Sequence, residues 1–181
     1  LTGILNGIGY GHWNPSTDTA LQHVYSAASL PERARDKQAV LEELGLVQQP
    51  ERALLVMVSR LVAQKGVDLL LGAFDEIMAL PVSLAILGTG DADLETALAA
   101  RTADHGDRFA LVRKFDEGLA HRMYAGSDFF LMPSRFEPCG LSQMYAQRLA
   151  SLPIGHRTGG LAETIKDGRT GFLFAHPSSE S

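Results

Sequence analysis

The chain has 181 residues, 45% hydrophobic and 20% charged, with a formal net charge of −5. That suffices for one α/β domain with a sizeable core and excludes a disordered or fibrous chain. The 16 Lys and Arg form no run, which argues against a nucleic-acid partner, and no stretch approaches the roughly 20 apolar residues that span a bilayer.

The single Cys139 precludes an intramolecular disulfide and fits a reducing compartment. The start, Leu1-Thr2-Gly3-Ile4-Leu5, has neither a signal-peptide pattern nor an initiator Met. The chain is therefore expected to begin inside a longer protein.

Residues 1–30 read as an irregular lead-in or interdomain segment, because Gly7, Gly9, Gly11 and Pro15 break any period. A single domain is expected over 31–181. Its first helix is predicted at 31–44, with Pro31 in the first turn and Gly45 after the end. Apolar runs then alternate with amphipathic ones. Strand 53–58 precedes helix 67–80, whose Leu70, Ala73, Phe74 and Ile77 share a face. Strand 82–87 and helix 92–105 follow, then strand 109–112 and helix 116–125. Strand 128–132 leads to helix 141–150, strand 152–155 to helix 161–166, and strand 171–174 comes last. The tail, 175–181, is polar. Continuous apolar strands are buried on both faces. The alternation predicts an α/β, Rossmann-like, six-stranded and mainly parallel sheet with helices on both faces. Ligands of such sheets bind beyond the C-terminal strand ends.

Four of the loops there carry candidate chemistry. Loop 59–66 offers Arg60 and Lys65 to one anion, or simply two solvated cations. Gly88-Thr89-Gly90-Asp91 lets a ligand approach the backbone or makes a tight turn, and it lacks a full dinucleotide fingerprint. In loop 133–140, the amides of Gly140, Leu141 and Ser142 at a helix start suit a phosphate, which turns Glu137 toward a sugar. Cys139 has no evident histidine partner and reads as a small residue at a close backbone approach. His156-Arg157-Thr158-Gly159-Gly160 holds a further polar part of a ligand or turns the chain. None of the six histidines stands at metal-ligand spacing from another ligand, so no protein-held metal and no cofactor is predicted. His121, in mid-helix, reads as structural or exposed.

The segments SRLVAQKG, FDEGLAHRMYAGSDFFLMPSRFEPCGL and RTGGLAETIKDGRTGFLF, with the lead-in LNGIGYGHWNPSTD, resemble bacterial glycogen synthases and plant starch synthases in order along nearly the whole chain. The resemblance implies one half of a GT-B fold in a retaining glucosyltransferase of the bacterial cytoplasm, extending α-1,4-glucan from ADP-glucose. It further implies that Arg60 and Lys65 hold the diphosphate and Glu137 meets the donor glucose. Cys139, Gly140, Leu141 and Ser142 would surround sugar and phosphates, Phe115 would lie against adenine, and Asn6 would line the donor-sugar site. The family's usual residues differ at Gly9 (Asp), Lys114 (Gly), Ala150 (Gly) and the Gly155-His156 pair. The N-terminal domain of such an enzyme, with its KxGGL loop, is not in this chain. This half is expected to bind nucleotide weakly, not to turn over alone, and to present a polar, open face to its missing partner domain. A UDP-sugar transferase and a catalytically silent nucleotide- or glucan-binding module remain the alternatives.

Overall fold

The computed structural model describes residues 4–49 and 51–176. Six strands, β1 (Ala53–Val58), β2 (Val82–Leu87), β3 (Phe109–Val112), β4 (Phe129–Met132), β5 (Leu152–His156) and β6 (Phe172–Phe174), form one sheet in the order β3-β2-β1-β4-β5-β6. Every pairing is parallel. The order reverses between β1 and β4, so the crevice for a ligand is expected beyond those two strand ends.

Side chains alternate along each strand and build two cores. Leu54, Val56, Ala85, Leu87, Phe130 and Met132 point to one face. There they meet helices α1 (Arg33–Glu43), α5 (Glu117–Gly126), α6 (Ser142–Arg148) and α7 (Gly159–Thr164). Leu55, Met57, Leu84, Ile86 and Leu131 point to the other, against α2 (Val67–Gly72), α3 (Phe74–Ala79) and α4 (Ala92–His105). Each buried Val, Leu, Ile, Phe or Met among them contributes about 1.5–3 kcal/mol.

Strands 53–58, 82–87 and 109–112 and helix 92–105 appear with the predicted bounds, and the other elements appear with shifted ends. The helix expected over 67–80 divides at Ala73, next to Gly72, where the backbone reaches φ −96°, ψ 10°. The first helix starts at Arg33, because Pro31 falls in a preceding 3-10 turn, Ala27–Glu32. Helix α6 stops at Arg148, two residues before Ala150, which takes φ +60°. Helix α7 starts two residues earlier than predicted, since Gly159 and Gly160 belong to it.

Residues 4–26 of the lead-in hold no helix or strand, whereas its last residues enter the 3-10 turn Ala27–Glu32, and the segment around Trp13 is docked. Trp13 lies between His121 of α5 and Tyr145 of α6, stacked at centroid distances of 3.9 and 3.7 Å. The Tyr25 hydroxyl donates to Leu149 O at 2.7 Å and Arg148 Nε to Trp13 O at 3.1 Å. Among the described residues, no helix is long and apolar enough to cross a membrane.

Candidate functional site

The loops after β1 and β4, on either side of the switch point, are tied together. Gly66 has φ +73°, and a Cβ there would collide with the carbonyl of Pro133. Only glycine permits this approach. Arg135 N donates to Gln64 O at 2.9 Å. The Arg135 guanidinium grips both carboxylate oxygens of Asp68, at 2.5 and 2.7 Å, and donates to Ala63 O at 2.8 Å. These hydrogen bonds hold the Asp68 carboxyl below the usual carboxylate range and raise Arg135.

The clamp positions Lys65 against Glu137, Nζ to Oε2 at 2.5 Å. Glu137 is 7% exposed, and Ser134 Oγ stands 3.4 Å from the same oxygen. A carboxylate this buried needs a cation beside it. From the other side, Gly160 N donates to Glu137 O at 2.9 Å, and His156 Nδ1 lies 3.0 Å from Ser134 O. A Cβ on Gly159 would strike Glu137 O, and one on Gly160 would strike Cys139 O. The glycines read as turn formers thus serve a close contact between loops. Buried Gln143 donates its side-chain amide to Cys139 O and Gly140 O, at 3.1 and 2.9 Å. That bond shapes the turn at Gly140, whose φ is +70°. At the start of α6, Met144 N already donates to Leu141 O at 2.9 Å, which leaves the preceding amides of Gly140, Leu141 and Ser142 to face outward from the helix end.

Beside this cluster, a cleft of about 230 Å³ is walled by Ser59, Arg60, Gly88, Thr89, Lys114 and Phe115. Phe115 is 90% exposed, a bare ring at the rim. Lys114 pairs with Asp116 at 2.7 Å, while the other Asp116 oxygen accepts from Leu119 N at 2.8 Å and caps α5. The Lys114 hydrogen bond, followed by the cap, keeps the Asp116 carboxyl low. Among the described residues, no ion pair engages Arg60.

The structure thus brings Lys65, Glu137, Cys139 and Gly140 into one loop cluster and Arg60 and Phe115 into the adjoining cleft. Arg60 and Lys65 share a loop but stand in different surroundings. Leu141 is exposed, Ser142 half-buried, and Asn6 solvent-exposed in the lead-in. The C-terminal edge is open, yet Phe115, Phe136 and Leu141 make it less polar than expected.

Sequence reasoning missed three features. The Arg135–Asp68 clamp links residues 67 positions apart, and the role of Gln143 depends on the Gly140 turn. The third is a ligand set. His12, Glu117 and His121 bring their donor atoms within 4.8 Å of one another, although His12 is far from the others in sequence.

Residues 45–181 match the family model described as glycosyl transferases group 1. The chain is 50% identical to a glycogen synthase of Aromatoleum aromaticum, an alignment covering 97% of this chain and 37% of that protein. It is 48% identical to glycogen synthase 1 of Bradyrhizobium diazoefficiens, covering 100% of this chain and 39% of that protein. The solved catalytic domain of Arabidopsis thaliana starch synthase IV, bound to ADP and acarbose, superposes with a TM-score of 0.92 at 35% identity over 98% of this chain and 39% of that one. The chain therefore spans less than two fifths of the length of these relatives. With a parallel sheet in this order, loops that meet at its switch point, and a family match over three quarters of its length, the chain belongs to the group 1 glycosyl transferases.

Proposed function

We propose that this chain is the donor-binding half of a retaining, GT-B-type glucosyltransferase that extends α-1,4-glucan chains from ADP-glucose in a reducing bacterial cytoplasm. The observation that carries the reading is the meeting of the β1 and β4 loops, with Lys65 on Glu137 beside the cleft of Arg60, Thr89 and Phe115. A nucleotide base stacks on the exposed Phe115 ring. The diphosphate takes Arg60 and the Gly140–Ser142 amides, and the donor glucose lies toward Glu137. When the glucosyl bond breaks, negative charge grows on the departing diphosphate. The two cations, Lys65 held by Glu137 and Arg60 exposed, stabilise that growth more than they stabilise the bound donor. Lys65 then sits between the Glu137 carboxylate and the leaving group and keeps the two anions apart. Phe115 accepts adenine and uracil alike, so the preference for ADP over UDP rests on the likeness to a starch synthase solved with ADP. The α-glucan acceptor and the rest of the catalytic groups belong to the part of the longer relatives that lies outside this chain.

Calorimetry with ADP, UDP and the chain tests the reading. Arg60→Ala removes an exposed cation, leaves the fold intact and should cost about 1.5–3 kcal/mol of ADP binding, the worth of a charge-assisted hydrogen bond. Lys65→Ala should cost as much, and it also strands Glu137, so Lys65→Ala/Glu137→Gln serves as its control. ADP affinity unchanged in both single variants sinks the proposal, and UDP bound tighter than ADP transfers it to a UDP-sugar donor.

A further inference from the structure

We infer that His12, Glu117 and His121 form a binding site for a divalent first-row transition ion of the Zn²⁺ type, which fastens the lead-in to helix α5. The site is separate from the Lys65–Glu137 cluster. Glu117 and His121 stand four residues apart, on one face of α5, at its first and second turns. His12 comes from the lead-in, which Trp13 stacks onto the same helix. Those two segments deliver two imidazoles and one carboxylate, a set that suits Zn²⁺ and its neighbours in the series.

The distances fit. His12 Nε2 lies 3.4 Å from Glu117 Oε1, and all three donor atoms lie within 4.8 Å of one another. Two ligands on a tetrahedral centre, with bonds of about 2.0–2.1 Å, sit about 3.3 Å apart. The first pair is already at that spacing. Closing the third needs a side-chain shift of at most about 1.5 Å, and His12 and Glu117, 62% and 65% exposed, are free to make it.

His121 supplies the independent sign. Its side chain is 4% exposed, its Nδ1 is 2.6 Å from Asp18 Oδ2, and its Nε2 is buried without a hydrogen-bond partner among the described residues. Orphaned buried polar atoms are rare in folded proteins. The Asp18 carboxylate draws the ring proton to Nδ1 and leaves the lone pair on Nε2, as the carboxylates behind metal-ligating histidines do. Asp18 is itself fixed: it is 7% exposed, and its Oδ1 accepts from Ala20 N at 2.9 Å. A cleft of about 300 Å³ lined by Gly11, Thr17 and Gly118 opens onto the three donors. It leaves room for a water as fourth ligand.

The test uses the whole 181-residue chain, free of any affinity tag and stripped with a chelator. Calorimetric titration with Zn²⁺ should give one ion per chain with a Kd of about 1 µM or tighter. His12→Ala and Glu117→Gln, both at exposed side chains, should each weaken binding at least about tenfold. Zn²⁺ should raise the Tm of the parent chain and not that of the variants, because only an ion bound to the folded form stabilises it. Co²⁺ should give the intense visible bands of a tetrahedral centre. No binding below about 100 µM, or equal affinity in parent and both variants, overturns the site. A Co²⁺ spectrum with only the weak bands of a fully hydrated ion overturns it as well.

Discussion

Two residues test how local chemistry sets stability. Burial pushes the Tyr25 hydroxyl from 10.0 up to about 12, partly offset by Arg33. The folded chain therefore keeps this proton while the unfolded chain loses it. The associated stability is complete below pH 10 and disappears between pH 10 and about 12. Two units correspond to roughly 2–3 kcal/mol. Tyr25→Phe should lose about 1 kcal/mol at neutral pH, because Arg33 Nε still donates to Leu149 O. Denaturant titrations at pH 8 and pH 12 should show the variant overtaking the parent at the higher pH; parallel pH profiles would refute the assignment. Ala150 is, among the described residues, the only non-glycine with positive φ, at +60°. Ala150→Gly should relieve about 1 kcal/mol of left-handed strain and raise the Tm, even after the entropy cost of a glycine. No gain in Tm would show that the turn carries no strain. Sequence alone singled out Ala150, since the resembling proteins usually have glycine there. It gave no sign of Tyr25, whose partner is 124 residues away.

At the scale of elements, β1, β3, β4 and β6 were legible as unbroken apolar runs, and β2 and β5 as mainly apolar ones interrupted by Ser83 and by Gly155-His156, because hydrophobicity decides burial in a parallel sheet. Element ends were less legible, since tertiary contacts settle them. Gly159 and Gly160 read as a turn because glycine is a poor helix former, yet the backbone of Glu137 and Cys139 leaves no room there for a Cβ. The same contact logic gives a prediction for the clamp. Gly66→Ala adds a Cβ into Pro133 O and a positive-φ penalty of about 1–2 kcal/mol, so total destabilisation should exceed about 2 kcal/mol. The displacement should also separate Lys65 from Glu137 and abolish detectable ADP binding. Retained ADP binding in a folded Gly66→Ala chain would show that the two loops do not act as a unit. The placement of Arg60, Lys65, Glu137 and Gly140 on loops after β1 and β4 was legible because charges and glycines follow apolar runs there. Their division between cluster and cleft was not, because the strand order and loop packing set it.

For the whole molecule, the parallel sheet places the candidate loops after β1, β2, β3 and β4 on one edge, where Phe115, Phe136 and Leu141 are exposed. The proposed nucleotide site draws mainly on exposed charge, and salt screens such charge over about 10 Å at 0.1 M. ADP affinity of the 181-residue chain is expected to be weak and to fall with added salt, and no glucosyl transfer to glycogen is expected from it alone. Radiolabelled ADP-glucose provides the assay. Transfer by the isolated chain at a rate typical of an enzyme would show that the catalytic groups are all present here. The exposed Phe115, Phe136 and Leu141 on this edge suit a surface that is covered when a second domain closes over a substrate.

The docking of the lead-in has a spectroscopic consequence. Trp13 is the only tryptophan of the chain, it is 9% exposed, and it lies between an imidazole and a phenol ring. Its fluorescence should therefore be blue-shifted and partly quenched. Any event that peels the lead-in from α5 and α6 moves the indole into water, so the emission should shift to the red while the circular dichroism of the sheet and helices stays unchanged. The molecule carries its own optical gauge of whether the Trp13 segment of its lead-in is seated, readable without a label and on the timescale of rapid mixing.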